Sequence, residues 1–233
     1  MRFLATLKND IRYQINYGFY FLYAFFSAIY IGILFIVPPE YKQIAASIII
    51  LSDPAMLGCF FIGAIWLLEK NEGLHSYWGI SPMRPIEYIL SKAVSLALIS
   101  TIAAVVIALI GLRSDVNYIV LVLSTFVGSM IFTAIGMIVA TYARSVNQYI
   151  LFITPIATII TTPPILVAFN ITHPAFEISP GTALWRFIMY SVGGSGEIEI
   201  WAYFVLVIWF GFMLFVTNRR IPTAMQAEGS GKL

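Results

Sequence analysis

The sequence predicts an all-α integral membrane protein. Hydrophobic residues make up 60% of its 233 residues and charged residues only 10%, whereas soluble domains are about half apolar and a quarter charged. A membrane helix needs roughly 20 apolar residues, and a barrel strand only about ten. Six runs are long enough for helices: residues 17–37, 44–68, 93–112, 118–142, 149–169 and 198–216.

Basic residues are distributed unevenly over the segments between these runs. If the N terminus, residues 69–92, residues 143–148 and the tail 219–233 share one side, ten of the 13 Lys and Arg residues lie there. The other three are Lys42, Arg113 and Arg186. Because cytoplasmic segments are rich in Lys and Arg, we expect six spans with both termini in the cytoplasm.

Two segments outside the runs are amphipathic. In residues 1–16, Phe3, Leu7 and Ile11 recur at helical spacing, which predicts an interfacial helix on the cytoplasmic surface. Residues 170–197 contain an apolar stretch that Thr182 would cap and a glycine-rich run would end. We expect this segment to be partly re-entrant, with an exposed loop as the alternative. Aromatic residues near run ends predict interfacial anchors: Tyr17, Tyr20, Tyr23, Tyr77, Trp78, Tyr142, Tyr149, Trp201 and Tyr203.

Residues 69–92 are the segment most informative about function. They combine charges of both signs with Leu74, Tyr77 and Trp78. This pattern favours a short helix with one face against the protein or the membrane and another offered to a soluble partner. Pro85, followed by Glu87, predicts the start of the next helix. The alternative is a solvated loop whose charges only determine topology.

The motifs of this loop are an acidic residue before Gly-Leu, then Ser-Pro-x-Arg-Pro-x-Glu-Tyr, and a final Ser-Lys (residues 72–74, 81–88 and 91–92). They resemble the cytoplasmic loop of type-2 ABC transporter permeases, which forms a coupling helix that docks on an ATPase subunit. The resemblance covers essentially the whole chain, although Leu74 stands where that family commonly has Thr. Residues 8–14, 17–20 and 52–54 are most similar to permeases known as fluoroquinolone exporters.

The resemblance implies the membrane subunit of an ATP-driven exporter in a bacterial or archaeal cell membrane. Its partners would be two copies of an ABC ATPase, which bind ATP and Mg, and a second permease copy in a homodimer. A heterodimer with a related permease is the alternative. Since this chain lacks a Gly-x-x-x-x-Gly-Lys-Ser/Thr loop, we expect ATP hydrolysis on a separate polypeptide. We expect this chain to be no enzyme and to bind no cofactor, metal or nucleic acid. The implied coupling region and its return to the membrane contain Glu69, Glu72, Gly73, Leu74, Pro82, Glu87 and Lys92.

Asp53 is the only acidic residue well inside a run. A charge in the membrane is usually paired or functional, but Ser52-Asp53-Pro54 also fits a helix N-cap followed by proline, at a break in the second run. Capping and contact with a substrate or cation both stay open. The candidate substrate path further contains Phe60, Thr154, Thr158 and Thr161.

Proline and small residues predict two features of the later spans. The prolines of the fifth run predict a kink, static or moving, whose freed carbonyls nearby Thr hydroxyls would satisfy. Small residues predict close helix packing along the fourth run: Gly128, Ser129, Thr133 and Gly136.

Export of hydrophobic or amphipathic small molecules such as drugs or antibiotics is the favoured function. Export of a peptide or lipid is an alternative, and so is an accessory membrane subunit without its own transport path. A membrane-embedded enzyme is disfavoured because His75 and His173 fall on opposite sides of the membrane in this topology, and no Gly-x-Ser-x-Gly motif occurs.

Overall fold

The computed structural model describes residues 2–75, 84–112, 116–194 and 200–229, and within these residues it contains helices and no β-strand. The helices are joined by two 3-10 turns, Pro39–Tyr41 and Pro174–Ile178, and by a π-helical turn, Leu51–Ala55. The α-helices are α1 (Arg2–Asn16), α2 (Phe19–Ile36), α3 (Lys42–Ile50), α4 (Leu57–Asn71), α5 (Pro85–Gly111), α6 (Tyr118–Ala140), α7 (Val146–Ala168), α8 (Pro180–Ser191) and α9 (Ile200–Gly229).

In the described part of the chain, five helices are long and apolar enough to cross a membrane: α2, α5, α6, α7 and the Ile200–Gln226 part of α9. The second predicted span, residues 44–68, is not one continuous helix, because it is divided into α3 and α4. The π-helical turn between them contains Pro54, which has no N–H to donate to the helix. The predicted break is therefore present, but Met56 and not Asp53 occupies the N-cap position of α4. The total of six spans, in which α3 and α4 together cross the membrane, stays a prediction.

Helix α6 lies at the centre of the bundle and packs against α4, α5, α8 and α9. The prediction of close packing along it is confirmed. A Cβ at Gly136 would collide with the backbone of Cys59 and the side chains of Ile62 and Tyr149. Tyr149 is itself buried, and its hydroxyl donates to the Cys59 carbonyl. The prediction that Tyr149 and Tyr23 are interfacial anchors is wrong, since both side chains are buried in the bundle.

The segment after α7 enters the bundle through α8. This helix packs against α3, α6, α7 and α9, and Leu184 and Ile188 are fully buried. It begins at Pro180 with Ser179 in the N-cap position, so the predicted cap at Thr182 is wrong by three residues. The exposed-loop alternative does not hold for α8, while its depth in a bilayer stays a prediction.

Helix α1 packs on α5 through its polar side. Thr6, Asp10 and Gln14 are buried, whereas Leu4 and Ile15 are 66% and 54% exposed. The amphipathic helix is thus present. Leu4 and Ile15 point away from the protein, as in a helix lying on lipid, whereas Phe3, Leu7 and Ile11 are half-buried. Gly18, at φ +77°, makes the turn from α1 into α2.

Candidate functional site

A cluster of buried charges lies where α1 meets the end of α4 and the start of α5. At its centre, the Lys92 ammonium donates to Asp10 Oδ1 at 2.5 Å and forms an ion pair with Glu69 Oε1. Lys92, Asp10 and Glu69 are only 1%, 5% and 3% exposed. Buried charges persist in proteins when they are paired and hydrogen-bonded, and this cluster meets both conditions.

Hydroxyl groups contact the second oxygen of each carboxylate. Ser91 Oγ donates to Asp10 Oδ2, and Tyr88 Oη donates to Glu69 Oε2 at 2.7 Å. Each carboxylate therefore accepts from the ammonium through one oxygen and from a hydroxyl through the other. Such charge-assisted bonds are stronger than neutral ones, so the cluster holds three separate segments of the chain together.

Helical spacing explains why these side chains meet. Residues four apart share one face of a helix, which places Thr6, Asp10 and Gln14 together on α1. Gln14 Nε2 donates to Ser95 Oγ at 2.7 Å, one turn beyond the ion pair. The matching stripe on α5 consists of residues three and four apart: Tyr88, Ser91, Lys92 and Ser95.

The cluster has an excess of negative charge because one ammonium faces two carboxylates. His75 Nε2 lies 4.0 Å from Glu69 Oε2, and its ring packs against Trp66 with the centroids 4.2 Å apart. Burial raises the pKa of Asp10, and the nearby Lys92 ammonium opposes this shift. Protonation of Asp10 is therefore linked to the contact between α1 and α5.

The exposed edge of the cluster is formed by the first residues of the loop. Glu72 and Gly73 are exposed and Leu74 is half-buried. Glu72 Oε1 accepts from Tyr17 Oη and lies 3.5 Å from Tyr13 Oη. Burial, followed by the contacts with Tyr17 and Glu72, raises the pKa of Tyr13. Gly73, at φ +72°, adopts the left-handed conformation that ends α4.

The other predicted coupling residues have structural positions at the loop's return. Pro85 and Glu87 begin α5 as predicted, and Glu87 Oε2 accepts from Arg84 N at 2.8 Å. Pro82 lies outside the described residues. Glu69 and Lys92 are buried within this chain, so the structure gives them the task of joining the two stems of the loop.

Asp10 is the residue of this cluster that the sequence reasoning missed. The sequence pattern groups it with the polar residues of an interfacial helix, where a charge usually faces water. Two signals could have identified it. Asp10 is the only acidic residue among the first 39, and it lies four residues from both Thr6 and Gln14, on one stripe of α1.

The predicted path residues lie in two other regions. Phe60, on α4, is half-buried, and the side chain of Asp53 lies outside what the structure describes. On α7, Thr154 and Thr158 are exposed and Thr161 is half-buried. Their hydroxyls donate to carbonyls four residues earlier: those of Ile150, Thr154 and Ala157.

The prediction that these hydroxyls satisfy the carbonyls freed by proline is wrong in detail. Proline has no N–H, so the carbonyl four residues before it loses its helical donor. For Pro155, Pro163 and Pro164 of α7, these carbonyls belong to Leu151, Ile159 and Ile160. The carbonyl of Ile160 instead approaches Gly181 on α8, where a Cβ would collide with it.

The two histidines have separate surroundings. His75 packs against Trp66 beside the charge cluster, whereas His173 Nδ1 accepts from the backbone of Ala175 and its ring lies near Phe176. Among the residues that the structure describes, no group of three or more His, Cys, Asp or Glu side chains could hold a metal ion.

The long apolar helices define the class: a multi-pass membrane protein. The chain belongs to the fluoroquinolones export permease protein family, whose family model matches residues 1–221. It is similar to the fluoroquinolones export permease proteins of two strains of Mycobacterium tuberculosis. Each is 25% identical over 165 residues, which cover 71% of this chain and 70% of the relative.

Proposed function

We propose that this chain is the membrane-spanning subunit of an ATP-driven ABC exporter of hydrophobic or amphipathic small molecules, such as drugs or antibiotics. The observation that carries the proposal is the family match over residues 1–221. ATP and Mg bind to a separate ATPase, present in two copies. This chain contributes the substrate path and the contact that couples it to ATP hydrolysis.

The geometry of the 69–92 loop supports this coupling. Its two stems, Glu69 on α4 and Lys92 on α5, are joined by a buried ion pair. An ATPase that displaces the loop therefore moves both helices together, because electrostatic contacts in a low-dielectric interior are strong. Because Asp10 also pairs with Lys92, α1 should move together with α4 and α5. Glu72, Gly73 and Leu74 provide the surface for docking.

The surface of α7 supports a second copy of the chain and a substrate path beside it. Only 17% of the residues in the apolar 18-residue stretch of this helix are buried within one copy. Its exposed side presents Thr154, Thr158 and Thr162 in a row. Hydroxyls on membrane helices are typical of contacts with neighbouring helices, so we place the homodimer contact and one wall of the path here. Asp53 and Phe60, on the divided second span, belong to the other wall.

An apolar cleft supports the proposed substrate class. It lies between α2 and α5, has a volume of about 410 Å³ and is lined by apolar side chains with Tyr20 and Ser27 among them. Sites for drug-sized molecules have volumes of about 300–1,000 Å³ and are mostly apolar with a few polar groups. The relatives are named for export of fluoroquinolones, which are small enough for such a cleft.

The proposed topology has six spans, with α3 and α4 together forming the second. The charge cluster groups α1 with the ends of the 69–92 loop. Arg220 Nε donates to Thr141 Oγ1 at 3.1 Å, which groups the end of α9 with the end of α6. We assign these segments and both termini to the cytoplasm of a bacterial or archaeal cell on the basis of their Lys and Arg content.

The proposal is tested by purifying the chain in mild detergent from cells that also express its neighbouring genes. We expect a soluble ATPase in stoichiometric amount, and its loss when residues 72–74 are replaced. Drug-dependent ATPase activity of the complex would distinguish an exporter from an accessory subunit. An ATPase that binds without responding to any transported compound would contradict the exporter assignment.

A further inference from the structure

Helix α1 has three distinct sides. Its inner side, with Thr6, Asp10 and Gln14, is buried against α5. Its second side is apolar and outward-facing, with Leu4 and Ile15 largely exposed. Since residues advance by about 100° around a helix, Lys8 and Arg12 form a third side directly beside Leu4 and Ile15. Both of these basic side chains are exposed.

The exposed charge on α1 is of one sign. Asp10 is the only acidic residue of the helix, and it is buried in the ion pair with Lys92. The outward surface of α1 therefore combines exposed apolar side chains with the unopposed cations Lys8 and Arg12. An amphipathic helix with a basic polar side is the pattern that binds the interface of membranes containing anionic lipids.

The position of α1 matches such an interface. It ends at Asn16, and α2, which is long and apolar enough to span a membrane, begins at Phe19. The turn between them contains only Tyr17 and Gly18. A helix this close to the end of a span, held by its inner side against α5, presents its outer side at headgroup depth.

We propose that the outer side of α1 is a binding surface for anionic phospholipids. Lys8 and Arg12 contact headgroup phosphates, while Leu4 and Ile15 enter the acyl region. The buried charge cluster orients the helix. Asp10 pairs with Lys92 and Gln14 donates to Ser95, so the basic and apolar sides of α1 face outward, toward the lipid. The surface exists on the isolated subunit and needs no ATPase or transported substrate.

The test is native mass spectrometry of the full chain released from nanodiscs that contain phosphatidylglycerol and phosphatidylcholine in equal amounts. We expect the wild type to retain phosphatidylglycerol preferentially. The double variant Lys8→Gln with Arg12→Gln should lose roughly 30-fold of that preference, because each surface cation contributes about a factor of five. Arg144→Gln, which removes an exposed cation outside α1, is the matched control and should keep the preference.

Salt provides a second measurement that needs no variant. Raising the salt concentration from about 0.1 M to about 1 M shortens the screening length from about 10 Å to about 3 Å, and should abolish the phosphatidylglycerol preference of the wild type. An unchanged preference in the double variant, or an equal loss in Arg144→Gln, overturns the proposal. Loss of a bound protein partner from the double variant with lipid retention intact also overturns it, since a protein would then cover this surface.

Discussion

Asp10 on α1 and Lys92 on α5 form a 2.5 Å ion pair although 82 positions separate them in the chain. The pair is buried, and Glu69 contacts the same ammonium from α4. A surface helix is thereby joined to both stems of the 69–92 loop. The arrangement explains why a fully buried lysine is compatible with an apolar bundle, and it leads to predictions that separate structure from transport.

Replacing Lys92 by Met should strongly destabilise the protein, because Asp10 and Glu69 would then remain buried without their cation. Removing one partner of a buried ion pair costs about 3–5 kcal/mol. The measurement is thermal unfolding of the variant in detergent. The triple variant Lys92→Met, Asp10→Asn and Glu69→Gln removes all three charges and should recover most of the loss. A triple variant less stable than Lys92→Met alone would contradict this account.

The contribution of Asp10 should make stability depend on pH. Burial raises the pKa of its carboxyl above the ordinary value of 3.8 in the folded protein, so the folded state binds this proton more readily than the unfolded state. The contribution of this proton to the free energy of unfolding is fully present below pH 3.8, and it is lost as the pH rises through the pKa of Asp10 in the folded protein.

The measurement for this prediction is the melting temperature of the wild type and of Asp10→Asn between about pH 7 and about pH 4. As the pH falls, the melting temperature of the wild type should rise relative to that of Asp10→Asn, because the amide side chain of the variant binds no proton in this range. Parallel pH profiles of the two proteins would show that Asp10 does not titrate in this range.

Gly136→Ala should destabilise the bundle by about 1–3 kcal/mol, the usual cost of overpacking a core. The added methyl group would collide with the backbone of Cys59 and with Ile62. Gly32→Ala is the matched control, since no atom lies within 4 Å of a Cβ there; alanine should be neutral or stabilising in that helix. Equal melting temperatures for the two variants would argue against close packing of α6 on α4.

The proposed homodimer predicts cross-linking through α7. Cys59 is buried and is the only cysteine, so a Cys59→Ala background allows single cysteines to be placed at will. With an oxidant in native membranes, Thr158→Cys should give a disulfide-linked dimer. Ile208→Cys, at an exposed position on α9, is the control and should stay monomeric. The opposite pattern would move the dimer contact to α9.

Changing Glu72 to Gln and Leu74 to Ala should uncouple ATPase stimulation from transport while leaving membrane insertion intact. These residues lie at the accessible start of the loop, where a docking contact would be made. The measurements are drug-stimulated ATPase activity and drug accumulation in cells. Glu40→Gln changes another exposed glutamate, outside the loop, and should preserve both. Normal transport by the Glu72 and Leu74 variant would remove the loop from the coupling mechanism.

The fold could be predicted from the sequence to the extent that it depends on local patterns. Long apolar runs predicted α2, α5, α6, α7 and α9 because membrane helices must satisfy their backbone hydrogen bonds internally. Pro54 predicted the break in the second span, and Pro85 predicted the start of α5. Boundaries were less accurate where turns compete, as at Ser179, which precedes α8 in place of Thr182.

The candidate site could be predicted only in outline. The family motifs pointed to the loop, and residues such as Glu72 and Leu74 lie at its accessible edge. The burial of Glu69 and Lys92 was not evident, because charged residues in a loop are normally solvated. Tyr149 illustrates the same limit, since an aromatic residue at the end of a span is either an interfacial anchor or a core residue, and only its neighbours decide.

Sequence information was therefore enough to predict a helical membrane protein, five of its long apolar helices and its family, since hydrophobic length, proline position and motif spacing are local properties of the chain. The tertiary structure alone decided that Asp10 meets Lys92, that α8 enters the bundle and that α1 turns its polar side inward. These outcomes depend on how helices rotate and pack against one another. That choice is governed by side chains distant in sequence that must pair when water is excluded.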